Sequence, residues 1–362
     1  MIRPMYTVYI LWKWKNKGEK VKVDIDYILD LTEELLSIPS PVGYTHLGIQ
    51  RIAEELDKFG LRYQYTKKGA ILAFVEGENR DYRKMISAHI DTLGAVVRNV
   101  KANGRLELTN TGGYAWGSVE GENVLIHTLS GKTYEGTLLP IKASVHTYGD
   151  VARELPRIEE NMEVRIDEDV KTAEDVLKLG ILQGDFVSYE TRTKRLSNGY
   201  IKSRYLDDKL CIAQVFGYLK YLADSSSKPK TDLYIYFSNF EEIGHGVSLF
   251  PEDLDEFISI DIGLAAADAH GDEKKVNIIA KDSRSPYDFV LRKKLVEAAE
   301  QAKIPYTVSV NYRYGSDSTT AILQGFDFKY ACIGPSVDAS HHYERTHNEG
   351  IIATVDLMIA YL

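Results

Sequence analysis

Cysteine is nearly missing from this chain: Cys211 and Cys332 are its only two among 362 residues. So few thiols exclude the disulfide framework of a small secreted domain, and their spacing excludes a zinc finger. No run approaches the roughly 18 consecutive apolar residues of a membrane-spanning helix. Positive charge is in deficit, with 44 Lys and Arg against 53 Asp and Glu and a formal net charge of −9. Such a chain lacks the basic face that a nucleic-acid partner requires. The G-x-S-x-G elbow of serine hydrolases is also missing, as are internal repeats and low-complexity tracts. A signal peptide places its positive charge before its apolar part. Here the order is reversed: Met5-Tyr-Thr-Val-Tyr-Ile-Leu-Trp12 comes first, then Lys13, Lys15, Lys17, Lys20 and Lys22. We therefore expect a cytoplasmic protein in which residues 1–22 are an N-terminal appendage.

What remains is the composition of a globular protein, 44% hydrophobic and 27% charged, long enough for two domains with a core each. Ile25, Ile28, Leu29, Thr32, Leu35 and Leu36 recur at helical spacing until Pro39-Ser-Pro41 stops the helix. A second helix carries Ile49, Ile52, Leu56 and Phe59, with Gly60 placed to end it. Short strands at residues 71–75 and 85–88 follow, which is how an α/β domain opens. From residue 98 to 193 the pattern changes to short β-like runs broken by glycines, with one helix at residues 172–179. Thr172 and Asp175 form its capping box and Gly180 its terminator. Amphipathic helices resume at residues 209–222, with Ile212, Val215, Phe216 and Leu219 inward, and at residues 288–302. The reading is an α/β domain made of residues 23–97 and 194–362, into which a small β domain, residues 98–193, is inserted.

One stretch organises the candidates for chemistry. Asp232-Leu-Tyr-Ile-Tyr-Phe-Ser-Asn239 reads as a buried strand, and Glu241-Glu242 stand where it should end. In an open α/β sheet that end opens into the ligand crevice. Other acidic residues and histidines fall at comparable places. His89 and Asp91 flank Ile90 on an extended segment and share one side. Asp207-Asp208 precede a helix, where its dipole favours negative charge. Asp261 ends the run Asp255-Glu-Phe-Ile-Ser-Ile260, and His341-His342-Tyr-Glu-Arg-Thr-His347 lies near the C-terminus. Singly, each is better explained as a cap, a solvated charge or a hydrogen-bonded histidine. Jointly, five such sites after strand ends or at a helix start of one domain outweigh those explanations.

The inventory suits two divalent ions, which need oxygen and imidazole ligands on either side of a bridge. Asp207 can bridge, Glu242 and His347 can complete one ion, and His89 and Asp261 the other. Three protein ligands per ion, with positions left for water, is the catalytic pattern. Glu241 is left over as a general base, and Asp91 as the acceptor that fixes the His89 ring. A ligand set without cysteine suits Zn²⁺, Co²⁺ or Mn²⁺.

These residues carry a resemblance. Ala88-His-Ile-Asp-Thr-Leu-Gly94, Leu206-Asp-Asp-Lys209, Asn239-Phe-Glu-Glu-Ile-Gly244, Ser259-Ile-Asp261 and Tyr314-Gly-Ser-Asp-Ser318 resemble the dinuclear metallo-aminopeptidases of the tetrahedral and glutamyl (deblocking) aminopeptidase family. Val124-Leu-Ile-His-Thr128, Ala143-Ser-Val-His146 and Leu179-Gly-Ile-Leu-Gln-Gly-Asp-Phe-Val187 resemble that family's β domain. The resemblance implies a mixed-sheet α/β/α zinc-exopeptidase-like catalytic domain that removes N-terminal residues from peptides with two ions, zinc or cobalt. It implies His89, Asp207, Glu242, Asp261 and His347 as ligands and Glu241 as base. It also implies dimers, held through the insert, that assemble into a hollow dodecamer. The chain departs from the family pattern at Cys211, where a glycine is usual, and in its three competing C-terminal histidines. His347 is favoured because Thr354 stands where the family starts its last helix, while His341 and His342 stay open. A metal-dependent deacylase or carboxypeptidase-like amidohydrolase is the main alternative. A glycosidase, which also needs two carboxyl groups, and an inactive assembly subunit are lesser ones.

Overall fold

The computed structural model describes residues 21–362, so the apolar and lysine-rich opening lies outside the described residues up to residue 20. Two helices, α1 (Ile25–Ser37) and α2 (His46–Lys58), lead into strands β1 (Arg62–Tyr65), β2 (Ile71–Val75) and β3 (Asn79–His89). Asp24 caps α1 by accepting the Tyr27 N–H, and Gly60, at φ +63°, lets the chain turn away after α2. The chain then builds six strands: β4 (Gly94–Val100), β5 (Leu106–Thr111), β6 (Asn123–His127), β7 (Thr133–Pro140), β8 (Met162–Ile166) and β9 (Phe186–Tyr189). They close into an antiparallel barrel in the order β4-β5-β8-β7-β6-β9. Helix α3 (Ala173–Leu179) lies between its last two strands, with the expected Thr172–Asp175 capping box and a left-handed Gly180. Gly94 already pairs with Thr111 and Ala95 with Val187, so residues 94–97, expected with the α/β segment, belong to the barrel strands.

Strands β10 (Lys194–Arg195) and β11 (Tyr200–Ser203) lead back to helix α4 (Leu206–Ser225). There follow β12 (Thr231–Ser238), β13 (Glu256–Ile260), β14 (Gly263–Leu264), β15 (Val276–Lys281), α5 (Phe289–Ala302) and β16 (Tyr306–Val310). Helix α6 (Asp317–Leu323), β17 (Lys329–Val337), β18 (Glu344–His347) and α7 (Asn348–Tyr361) complete the chain. The main sheet runs β1-β2-β12-β3-β13-β17-β15-β16. Its middle strands β12, β3, β13 and β17 are parallel to one another, whereas β2 and β15 join them antiparallel. The fold is therefore α/β with a mixed sheet.

Strand alternation splits the core between the two faces of the sheet. Ile86, Ile235, Phe237 and Ile258 join the large core that holds α1, α2, α4 and α7. Met85, Tyr236 and Phe257 meet Val247, Leu254 and Ala321 in the other. Phe216 of α4 stacks on Phe237 at 5.3 Å, one contact that holds this helix against the sheet. Because four neighbouring strands are parallel, their C-terminal ends open on one edge. No helix among the described residues is long and apolar enough to cross a membrane.

Candidate metal centre

That edge gathers most of the acidic and histidine candidates. His89 ends β3 and pairs in register with Ser238 at the end of β12. Its backbone N–H donates to Asp208 Oδ2 at 3.0 Å, and its ring Nδ1 lies 2.9 Å from the carbonyl oxygen of Asp91. A carbonyl only accepts, so Nδ1 carries a proton and Nε2 is the nitrogen left facing the cleft. Asp91 thus orients His89, but with its backbone carbonyl rather than the expected carboxylate. The Asp91 carboxylate accepts the N–H groups of Glu241 and Glu242, at 3.2 and 3.1 Å, and so fixes the turn that carries both.

Asp207 stands where the chain enters α4, with dihedral angles outside the helical region and a cis peptide to Asp208. One of its oxygens, Oδ1, lies 3.2 Å from His89 Nε2. The other, Oδ2, lies 3.6 Å from Nε2 of His341, which in turn is 3.5 Å from Glu242 Oε2. One carboxylate therefore faces two imidazoles. Asp261 follows β13 directly, and its ligand oxygen lies within 4.8 Å of donor atoms of His89 and Asp208; His89, Asp207 and Glu242 form a second such group. Glu241 Oε2 sits 3.8 Å from His89 Nε2, beside these groups rather than within either.

His347 is not brought here. Strand β18 pairs with β11, which lays the His347 ring edge-on against Tyr200. There His347 caps α7, with Nδ1 accepting the Glu349 N–H and Nε2 3.1 Å from the Asn198 carbonyl oxygen. His341 takes the place expected for it, because left-handed residues Ala339 and His341 (φ 56° and 63°) fold the preceding turn back over the cleft. The Gly113 carbonyl accepts from His341 Nδ1 and directs Nε2 inward. His342 instead accepts the Tyr343 N–H. The available signal was local: α7 begins at Asn348, directly after His347, and a polar residue directly before a helix is an N-cap candidate.

Burial and crowding set the charges. Burial, then neighbouring carboxylates, push Glu241, Asp261 and Asp208 well above the usual carboxylate range, and Glu242 up to about 7. Asp207 goes the other way: burial would raise it, but His341 and His89 hold it below the ordinary range. The His341 imidazole, despite burial, is pushed up to about 11 by Glu242 and Asp207. Buried oxygens Glu242 Oε1, Asp208 Oδ1 and Asp317 Oδ1 have no hydrogen-bond partner. Buried carboxylates with idle oxygens are costly unless a cation completes them. The donor set, imidazole nitrogen and carboxylate oxygen without sulfur, fits divalent ions such as Zn²⁺, Co²⁺ and Mn²⁺. The cleft beside it, about 940 Å³, is lined among others by Tyr114, Arg284, Arg313 and Tyr314.

Residues 69–357 match the family model described as M42 glutamyl aminopeptidase. YhfE of Bacillus subtilis (strain 168), named as a candidate aminopeptidase, is 40% identical over 335 residues, 92% of this chain and 96% of that protein. The fold matches a TET aminopeptidase from the marine sediment archaeon Thaumarchaeota archaeon SCGC AB-539-E09, with a TM-score of 0.83 at 17% identity, covering 92% of this chain and 95% of the other. It also matches the Pyrococcus horikoshii TET1 peptidase, described as able to assemble into a tetrahedron or a large octahedral shell. There the TM-score is 0.79 at 20% identity, covering 92% of this chain and 98% of the other.

Proposed function

This chain belongs to the M42 glutamyl aminopeptidase family, and we propose that it removes N-terminal residues from peptides at a centre of two divalent ions. The observation that carries this reading is the placing of two imidazole nitrogens against the two oxygens of one buried carboxylate, Asp207. One ion would be held by His89, Asp207 and Asp261, and the other by Asp207, Glu242 and His341. Bound there, two dications would polarise the scissile carbonyl and acidify the attacking water.

The chain's own groups do the rest. Glu241 takes a proton from the attacking water and hands it to the departing amine, the two duties of a general base and acid at one carboxylate. Asp91 holds Glu241 and Glu242 at their amides, so that one turn presents a base and a ligand in different directions. The cleft accepts the residue to be removed, with Tyr114 on the barrel side and Tyr314 on the sheet side. Access for peptides is further limited if the chain forms a shell of the kind that the Pyrococcus horikoshii TET1 peptidase can assemble into. Exposed apolar residues on two short helical turns between β7 and β8, Val145, Tyr148 and Val151, suit such packing. Both cysteines are buried and free, which suits a cytoplasmic setting. A panel of aminoacyl-amide and acyl-amino-acid substrates, run with Zn²⁺, Co²⁺ and after chelation, tests the reading. Hydrolysis of free-amine substrates only, restored by metal, is expected; full activity in the chelated protein or preference for acyl substrates would overturn it.

A further inference from the structure

We infer that Glu344 is a positioning residue that holds the Asp207–His341 side of the proposed centre together. The inference rests on the two-ion reading above and concerns a residue that touches neither substrate nor ion in it. Glu344 opens β18 and is 2% exposed. Its two oxygens are divided between two remote pieces of chain. Oε2 accepts the backbone N–H of Asp207 at 3.1 Å, and Oε1 accepts the backbone N–H of His341, also at 3.1 Å.

Both amides need such a partner. Asp207 lies at the opening of α4, where N–H groups have no acceptor within the helix. His341 lies in a left-handed turn that the Asp338–Arg345 bridge closes at its base, and its amide pairs with Glu344 rather than with a strand. A carboxylate spanning both sets the distance between the two residues that share one ion position. That position takes two of its three ligands, Asp207 and His341, from clamped residues, whereas the other shares only Asp207 with it. The other draws on His89, fixed by the Asp91 carbonyl and the Asp208 carboxylate, and on Asp261 at the end of β13. Residues that orient ligands without touching a metal typically change its affinity about 10–100-fold when altered.

Loss of the clamp should therefore weaken one ion far more than the other. Full-length wild type, Glu344→Gln and Glu344→Asp would be titrated with Co²⁺, reading heat and the visible absorption of the bound ion. Gln keeps one acceptor and sets an NH₂ group against the second amide; Asp is too short to reach both. Two Co²⁺ are expected in wild type. In the variants one Co²⁺ should bind close to its wild-type affinity and the second about 10–100-fold more weakly, with an altered absorption band. Activity should return when Co²⁺ is raised. If the folded variants bind both ions with wild-type affinity and spectrum, and only melt earlier, the inference fails. It fails equally if both ions are weakened alike, or if neither variant folds, because Glu344 then serves the whole fold. Fewer than two Co²⁺ in wild type would instead sink the two-ion reading itself.

Discussion

Strand β13 has a buried carboxylate at each end, and the two are treated in opposite ways. At its start, Glu256 is fully buried and answered by the chain itself: Tyr82 and Tyr361 donate their hydroxyls at 2.7 Å each, and Lys294 its ammonium at 2.9 Å. Burial works against the charge, but those donors outweigh it and hold Glu256 below its ordinary range. Just past the other end, Asp261 faces further carboxylates and is pushed well above its range, first by burial and then by Asp207. Neighbouring oxygens there have no donor at all. A chain able to satisfy one buried carboxylate with three donors leaves several unsatisfied a few residues away. The difference marks the second end as a place for cations supplied from outside, at a cost in stability offset when they bind.

The largest expected effect separates the ends by chemistry. Glu241→Gln should lower kcat about 10²–10⁴-fold while keeping bound metal and changing KM little. Steady-state kinetics beside metal analysis checks this, and near-normal kcat would break the assignment. Glu256→Gln should do the reverse, leaving kcat per folded molecule unchanged and costing about 2–3 kcal/mol, the worth of hydrogen bonds to a buried charge. Because the folded pKa of Glu256 is depressed, its stabilisation is present above the unfolded carboxyl value of about 4.3 and disappears as pH falls through the folded value. Urea midpoints of wild type and variant should therefore differ at pH 7 and converge on acidification. A gap that widens with acid would contradict the contrast.

A smaller effect follows from Glu242, raised to about 7. Below that pH an ion must displace its proton in addition to the one on His341, so metal affinity should fall by up to about a further tenfold per pH unit, with protons released on binding. Calorimetry in buffers of different ionisation enthalpy reads that release directly; affinity flat from pH 8 to 5.5 would count against it. Smallest is His347→Ala, which removes a helix cap and should cost about 1 kcal/mol with metal content unchanged.

The sequence made legible what depends on local pattern. Acidic residues that end buried apolar runs, such as Asp261 after Ile260 and Glu241-Glu242 after β12, do lie at the C-terminal edge of the parallel strands. Short glycine-broken runs did become the strands of a closed barrel. What was not legible depends on tertiary contacts. His341 reaches the site through two left-handed residues and a Glu344 clamp on its amide, none of which spacing reveals. Asp91 was expected to use its side chain on His89, but a two-residue offset also brings its carbonyl to the ring. Nothing in the sequence singled out Glu256, since its partners Tyr82, Lys294 and Tyr361 are remote along the chain.

In the proposed reading the crowded end of the sheet is a two-ion centre completed by His341 and not by His347. Metal analysis of Co²⁺-loaded wild type, His341→Ala and His347→Ala after gel filtration tests it most directly. Two ions per chain are expected in wild type and in His347→Ala, and one in His341→Ala. Two ions retained by His341→Ala with one lost from His347→Ala, or fewer than two in the wild type, would contradict it.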